Sequence, residues 1–138
     1  MTGDNRARNA ADELARAATC LREARALQEA GLPYGATARA YYVVFDAARA
    51  LLFSIGLEAS SHRGVVSLLG ERFVRPGRLS SRLGRLVSRM QRDREDADYA
   101  TSAVFTAEDA AQAIADAESF LAAARGALPA TGSSSESQ

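Results

Sequence analysis

Apolar residues recur every three or four positions through most of the chain, and this spacing predicts amphipathic helices. A first helix is expected over residues 4–30 and a second over residues 33–55, with the sequence GLPYG forming the turn between them. Valine and leucine residues widen the apolar face of the second helix beyond a single stripe. The second helix is therefore predicted to lie at the centre of the fold, with contacts on several sides.

Two shorter helices are predicted in the middle of the chain. Ser60 or Ser61 is the expected N-cap of a third helix that ends near Val74. The sequence RPGRLS then interrupts the pattern with proline and glycine, and a fourth helix is expected over residues 79–97.

The C-terminal part of the pattern predicts a fifth helix and a tail. Thr106 is the expected N-cap, and the acidic residues that follow it suit the positive end of the helix dipole. Residues 129–138, PATGSSSESQ, have the composition of a disordered tail. Because the connections are short and no alternating strand pattern occurs, the predicted fold is all-α. We expect an antiparallel bundle of four to five helices that forms a single domain over residues 1–128.

Composition narrows the chemistry that this domain can carry. The lone cysteine, Cys20, lies in a helical apolar pattern and is predicted to be a buried thiol, which fits a reducing cytoplasm. One histidine and one cysteine without ligand spacing argue against a metal site, and no motif calls for a cofactor. The most apolar run, residues 41–55, is too short for a membrane span and the N-terminus lacks a signal-peptide core, so a cytoplasmic protein is expected.

The charges are segregated along the chain, although the net charge is zero. Residues 62–94 contain nine arginines and two acids, whereas residues 95–138 contain one arginine and eight acids. Five of the arginines follow one another at spacings of four and three: Arg78, Arg82, Arg85, Arg89 and Arg92. On a helix they fall within an arc of about 80°, beside the apolar stripe rather than opposite it.

Two interpretations of this arginine stripe remain open. In the first, the guanidinium groups line a groove and bind the phosphates of RNA or of a nucleotide. In the second, they cover the margin of the core and pair with acids of the fifth helix, namely Glu108, Asp109, Asp116 and Glu118.

Three further polar side chains are candidates for a site. Tyr41 and Tyr42 open the apolar run of the second helix, and we interpret them as core aromatic residues whose hydroxyls reach a polar edge. His62 follows a capping serine, and it is interpreted as a residue that caps and orients the third helix.

Three segments, ARAYYVVFDAARALLFSIGLE, SSHRGVVSLLGERFVRPGRL and RDREDADY, together resemble an HEPN domain. They are similar to the branch of small prokaryotic HEPN proteins that are often encoded beside a minimal nucleotidyltransferase. The resemblance covers about residues 9–126. It implies a bundle of four to five helices, a homodimer, and a cleft lined by the paired fourth helices.

Many HEPN proteins are metal-independent ribonuclease toxins whose motif is an arginine, four to six mostly polar residues and a histidine. Arg94 matches the arginine, or Arg92 in another register, but the histidine position is then Tyr99 or Ala97. A tyrosine with a pKa of about 10 does not replace an imidazole near neutral pH. His62 could do so if folding or dimerisation brings it beside Arg94.

The resemblance also suggests a modification. In related toxin–antitoxin pairs the nucleotidyltransferase attaches AMP to a tyrosine near the motif, and Tyr99 corresponds to that tyrosine here. Arg94, Asp98 and Tyr99, with His62 as a second part, are therefore the predicted site residues. Arg82, Arg85, Arg89 and Arg92 are the predicted phosphate-binding residues.

The resulting functional hypothesis is an HEPN subunit of a nucleotidyltransferase-linked system that binds nucleotide or RNA phosphates through an arginine-lined cleft. One alternative is an atypical ribonuclease toxin in which Arg94 works with His62 or Tyr99. The other is a helical adaptor without catalytic activity. Whether the protein is an enzyme stays open between them.

Overall fold

The computed structural model describes residues 3–99 and 105–128, with side chains for residues 5–96 and 105–128. The regular structure in these ranges consists of α1 (Gly3–Glu29), α2 (Pro33–Ser54), α3 (His62–Leu69), a π-helical turn (Gly70–Val74), α4 (Ser81–Tyr99) and α5 (Ala107–Ala127). The predicted all-α fold with five helices is therefore confirmed. The predicted tail, residues 129–138, lies outside the described residues.

Helix α2 is the central element of the bundle, as its wide apolar arc predicts. Thirteen of its 22 residues are buried. It packs against α1, α4, α5 and the α3 region, and α1 precedes it as the other half of a long helical hairpin. Buried alanines on both helices leave room for the helix axes to approach closely.

Local hydrogen bonds fix where the helices begin. The Ser61 hydroxyl accepts a hydrogen bond from the backbone N–H of Gly64 at 3.0 Å, which makes Ser61 the N-cap of α3. Thr106 and Asp109 form a capping box, since each side chain accepts the backbone N–H of the other residue at 3.0 Å. The predicted caps of α3 and α5 are confirmed.

The start of α4 differs from the prediction. The Ser80 hydroxyl accepts the backbone N–H of Leu83 at 3.2 Å, so α4 begins at Ser81 rather than near residue 79. Arg78 therefore lies in the connection that precedes the helix. Its guanidinium carbon stands 4.4 Å from the ring centroid of Phe73. The arginine stripe on α4 has four members, not five.

The interface between α1 and α2 contains a buried polar cluster that the sequence pattern did not indicate. Cys20 is buried as predicted, and its thiol donates to a carboxylate oxygen of Asp46 at 3.8 Å. Burial, and then the nearby carboxylate of Glu13, raise the pKa of Asp46 to about 6. A guanidinium nitrogen of Arg49 lies 3.6 Å from Glu13, so the cluster is partly neutralised.

None of the helices in the described ranges is both long and apolar enough to cross a membrane.

Candidate nucleic-acid interface

A groove with a volume of about 610 Å³ separates α4 from α3 and the π-helical turn. Its polar lining consists of Ser81, Arg82, Arg85, Ser88, Arg89 and Arg92. We call this surface the basic groove. Its lining includes no acidic residue among those that the structure describes, so four cationic side chains face one open concave surface.

The spacing of residues along α4 explains how the groove forms. The four arginines recur at intervals of three and four positions, and Leu83, Leu86, Val87 and Met90 are buried against the core on the adjacent arc. Gly84 lets the helix approach the π-helical turn, because a Cβ built on it would lie 2.7 Å from the Cγ2 of Val74. The groove floor is thus a close contact between the α4 backbone and a valine side chain.

One arginine of the groove is engaged by an acid of α5. Arg89 forms an ion pair with Asp116 at 2.5 Å, and about half of the Arg89 side chain remains exposed. Within the described part of the chain, the other three arginines of the groove make no ion pair. Three of the four guanidinium groups therefore remain available to a ligand.

Two other acids of α5 have partners outside the arginine stripe. Glu118 pairs with Arg25 of α1, and Asp109 is held by the capping box of its own helix. Of the four predicted pairings with α5 acids, the described residues show only that of Asp116. The interpretation of the stripe as a fully neutralised core margin is therefore not supported.

Arg94 lies on a different face of α4 from the stripe. Two positions separate it from Arg92, which turns it by about 200° around the helix and toward α2. Its guanidinium carbon stands 5.4 Å from the ring centroid of Tyr41 and 5.8 Å from that of Tyr42. Its Nε also donates to the Oε1 of Gln91 at 3.5 Å. Within this chain, Arg94 and the arginine stripe therefore lie on two different faces of α4.

His62 joins Arg94 through the buried tyrosine. The Tyr41 hydroxyl oxygen and the Nδ1 of His62 are 3.2 Å apart, within hydrogen-bonding distance. When Nε2 carries the ring proton, the tyrosine hydroxyl is the donor. We call Tyr41, Tyr42, His62 and Arg94 the tyrosine–histidine cluster. Its members come from α2, α3 and α4, and this proximity could not be read from the sequence.

The cluster shifts the pKa values of two of its members. Burial raises the pKa of Tyr41 to about 12, although the charge of Arg94 opposes the shift. Burial lowers the pKa of His62, Arg94 adds to this effect, and Glu95 opposes it. At neutral pH the imidazole is therefore uncharged and the phenol is protonated. In the other tautomer, Nδ1–H donates to the Tyr41 oxygen and Nε2 keeps its lone pair, so this neutral imidazole can accept a proton at Nε2.

The other predicted site residues fall at the C-terminal end of α4. The helix continues to Tyr99, so RDREDADY forms its last two turns. The side chains of Asp98 and Tyr99 lie outside the described residues. Among the described side chains, no group of three or more histidine, cysteine or carboxylate residues is arranged to hold a metal ion.

Comparisons with known proteins agree with this architecture. The sequence model of the HEPN domain matches residues 10–127. A "UPF0332 protein" of Thermotoga maritima is 35% identical over 106 residues, which cover 77% of this chain and 80% of the relative. A protein of Methanocaldococcus jannaschii named "Putative toxin MJ0605" is 38% identical over 101 residues, covering 73% of this chain and 75% of the relative.

A solved structure has the same arrangement of helices. The crystal structure of TT1696 from Thermus thermophilus superimposes with a TM-score of 0.74 at 22% sequence identity. The match covers 90% of this chain and 99% of that protein. At this level of identity the likeness shows a shared fold.

Proposed function

The chain belongs to the HEPN domain family, and from this premise we propose that it is the RNA-binding subunit of a nucleotidyltransferase-linked, toxin–antitoxin-like system. The observation that carries the proposal is the basic groove, where four arginines face a surface whose described lining contains no acid. The M. jannaschii relative, whose name describes a toxin, supports the toxin-like part.

The geometry of the groove suits a phosphate backbone. Arginines spaced three or four residues apart rise about 4.5–6 Å per step along the helix, so a strand can contact several of them at once. Each planar guanidinium can hold two phosphate oxygens, and Ser81 and Ser88 add hydroxyl donors. Binding of this kind depends on the phosphate backbone of the RNA and not on its base sequence.

Fluorescence anisotropy with a labelled single-stranded RNA tests the proposal. Replacing both Arg85 and Arg92 with alanine should weaken binding at least about tenfold, because each substitution removes a charged hydrogen-bond donor. Arg8→Ala is the matched control, since Arg8 is an exposed arginine of α1 away from the groove. If RNA does not bind, or binds the double variant and Arg8→Ala equally well, the phosphate-binding role is wrong. That result would favour the non-catalytic adaptor instead.

The nucleotidyltransferase partner is part of the same proposal and is supported by the family resemblance. Incubation with a minimal nucleotidyltransferase, ATP and Mg²⁺ should increase the mass of the intact chain by one AMP. The increase should disappear in Tyr99→Phe and persist in Tyr34→Phe, which changes an exposed tyrosine. An unchanged mass in the wild-type protein would contradict the assignment of Tyr99.

A ribonuclease is the second candidate function, and the tyrosine–histidine cluster favours it. It places a neutral imidazole and a guanidinium group against the same buried ring, and these two groups serve proton transfer and phosphate stabilisation. Purified protein should then shorten cellular RNA in the absence of metal ions. Both His62→Ala and Arg94→Ala should abolish cleavage while Arg85→Ala and Arg92→Ala reduce RNA affinity.

The ribonuclease assay separates the two candidates. Tight RNA binding without cleavage would contradict the ribonuclease and support the RNA-binding subunit. Cleavage that persists in His62→Ala comes from another group or from a contaminant, and it would remove the cluster from the mechanism.

The homodimer implied by the resemblance is proposed on the same basis. Light scattering coupled to size-exclusion chromatography should give twice the mass of the 138-residue chain. A monomer at all concentrations would contradict it.

A further inference from the structure

A second cavity lies on the other flank of α4, toward α5. Its volume is about 640 Å³, and its carboxylates come from Asp93, Asp96, Asp109 and Asp116. We call it the acidic cavity. Its size is within the range of small-molecule sites, and it adjoins a basic surface on the same helix.

The carboxylates of the acidic cavity differ in how far they are satisfied. Asp116 accepts hydrogen bonds from Arg89 and Gln112, and Asp109 serves the capping box. Among the described residues, Asp93 and Asp96 have no hydrogen-bond partner. Partial burial raises the pKa of Asp93, the charge of Arg89 opposes the shift, and the like charge of Asp96 adds to it. A ligand that donates hydrogen bonds would relieve this repulsion.

A buried hydroxyl group in the lining provides an independent sign of a ligand. Thr37 of α2 lines the cavity and is only 6% exposed. Its hydroxyl oxygen has no hydrogen-bond partner within the described structure. Since buried hydroxyl groups are nearly always hydrogen-bonded, this oxygen marks an unsatisfied polar group in the cavity wall. Met90 and Phe105 supply an apolar wall beside it.

The cavity and the basic groove share two side chains. Arg82 and Arg89 line both of them, so they form the ridge between the two surfaces. A phosphate bound on this ridge would place the attached sugar and base within reach of the cavity. This arrangement favours a nucleotide over an amine or a basic peptide, which the shared arginines would repel.

We propose that the acidic cavity is a nucleobase pocket that prefers guanine. Guanine presents a ring N–H and an amino group side by side, and one carboxylate can accept both hydrogen bonds. Uracil presents one N–H between two carbonyl oxygens, which carboxylates repel. The base would belong to the RNA strand in the basic groove, so the inference rests on the proposed function, or to a free guanine nucleotide.

Anisotropy with four octanucleotides tests the preference. One is oligouridylate, and the others carry a single guanosine, adenosine or cytidine at the centre. The guanosine should strengthen binding to the wild-type protein about tenfold over oligouridylate, and adenosine and cytidine should do so less. Equal binding of all four RNAs would overturn the nucleobase pocket while leaving the phosphate-binding role intact.

Substitutions in the acidic cavity test whether the guanosine preference arises there. Asp93→Asn and Thr37→Val should each reduce the guanosine preference, to about twofold in the first case. Glu108→Gln is the matched control, because Glu108 is an exposed acid of α5 outside the cavity lining, and it should keep the preference. Arg85→Ala should weaken all four RNAs by the same factor. If Asp93→Asn strengthens all four equally, the cavity only repels RNA and the inference is wrong.

Calorimetry with guanosine and uridine monophosphate separates failure of this pocket from failure of the groove. Binding of the guanosine nucleotide that is lost in Asp93→Asn would support the pocket even if no octanucleotide binds. Absence of binding in both experiments would overturn the pocket together with the proposed function.

Discussion

The basic groove and the tyrosine–histidine cluster use arginines of the same helix in opposite ways. In the groove, three guanidinium groups face solvent without an acid partner among the described residues. In the cluster, Arg94 covers two tyrosine rings at 5.4 and 5.8 Å, and it adds to the burial that lowers the pKa of the neighbouring His62. The first arrangement leaves charge exposed in an open groove, whereas the second places charge against aromatic rings.

The difference arises from the position of each residue around α4. Arg92 and Arg94 are two residues apart, and a turn of about 200° separates an open groove from a packed aromatic surface. A motif defined only by spacing in the sequence cannot distinguish these roles. The following substitutions test whether the two surfaces differ as described.

Gly84→Ala is expected to have the largest effect on stability. The new Cβ would lie 2.7 Å from the Cγ2 of Val74. An overpacking cost of about 1–3 kcal/mol opposes a gain in helix propensity of about 1 kcal/mol, so the free energy of unfolding should fall by up to about 2 kcal/mol. Urea unfolding measures this change.

Gly70→Ala is the matched control for this prediction. Gly70 lines the same groove, has a helical φ of −60°, and has open space at the Cβ position. Its substitution should be neutral or stabilising by up to about 1 kcal/mol. Equal effects of the two alanines would show that the groove wall is not tightly packed at Gly84.

Arg94→Ala should have a moderate effect. It removes the cation–π contacts with both tyrosine rings and the packing of the side-chain stem, which together contribute about 1 kcal/mol. Arg92→Ala should stay within about 0.5 kcal/mol because Arg92 is exposed in the groove. If thermal or urea unfolding gives the reverse order, the assignment of the two faces is wrong.

The smallest effect is a shift in the titration of His62, which NMR can follow without assignment because the chain has one histidine. Its pKa should lie below 6.5 in the native protein. Arg94→Ala should raise it and Glu95→Gln should lower it further, since these charges act in opposite directions. Arg85→Ala should leave the titration curve unchanged, and a shift of equal size there would contradict a local effect of Arg94.

The lowered pKa of His62 also predicts that the free energy of unfolding depends on pH. The unfolded chain takes up a proton at His62 first as the pH falls through 6.5, because the native pKa is lower. The contribution of His62 to the free energy of unfolding is therefore complete above pH 6.5 and is lost below it. A His62→Gln variant should lack this part of the pH dependence in urea unfolding.

The sequence predicted the helices well because helix formation depends on local patterns. Apolar spacing placed α2 at the centre, and Ser61 and Thr106 gave correct starts for α3 and α5. The start of α4 was wrong because capping by Ser80 competes with continuation of the pattern to Arg78. The π-helical turn was missed because its hydrogen bonding has no signature in apolar spacing.

The site was less predictable because it depends on contacts between helices. Spacing alone grouped five arginines, and the structure places four of them, all except Arg78, on one groove. The Tyr41–His62 hydrogen bond joins residues 21 positions apart, and the acidic cavity joins α2, α4 and α5. Neither could be found without the packing of the bundle.

The salt dependence of RNA binding tests the central claim most directly. Each phosphate neutralised on a single strand contributes about −0.7 to the slope of log K against log [salt], so three or four arginines predict a slope of about −2 to −3. Replacing Arg85 and Arg92 with alanine should reduce its magnitude by about 1.4. A slope near zero, or one that is the same in the wild type and the double variant, would contradict phosphate binding in the basic groove.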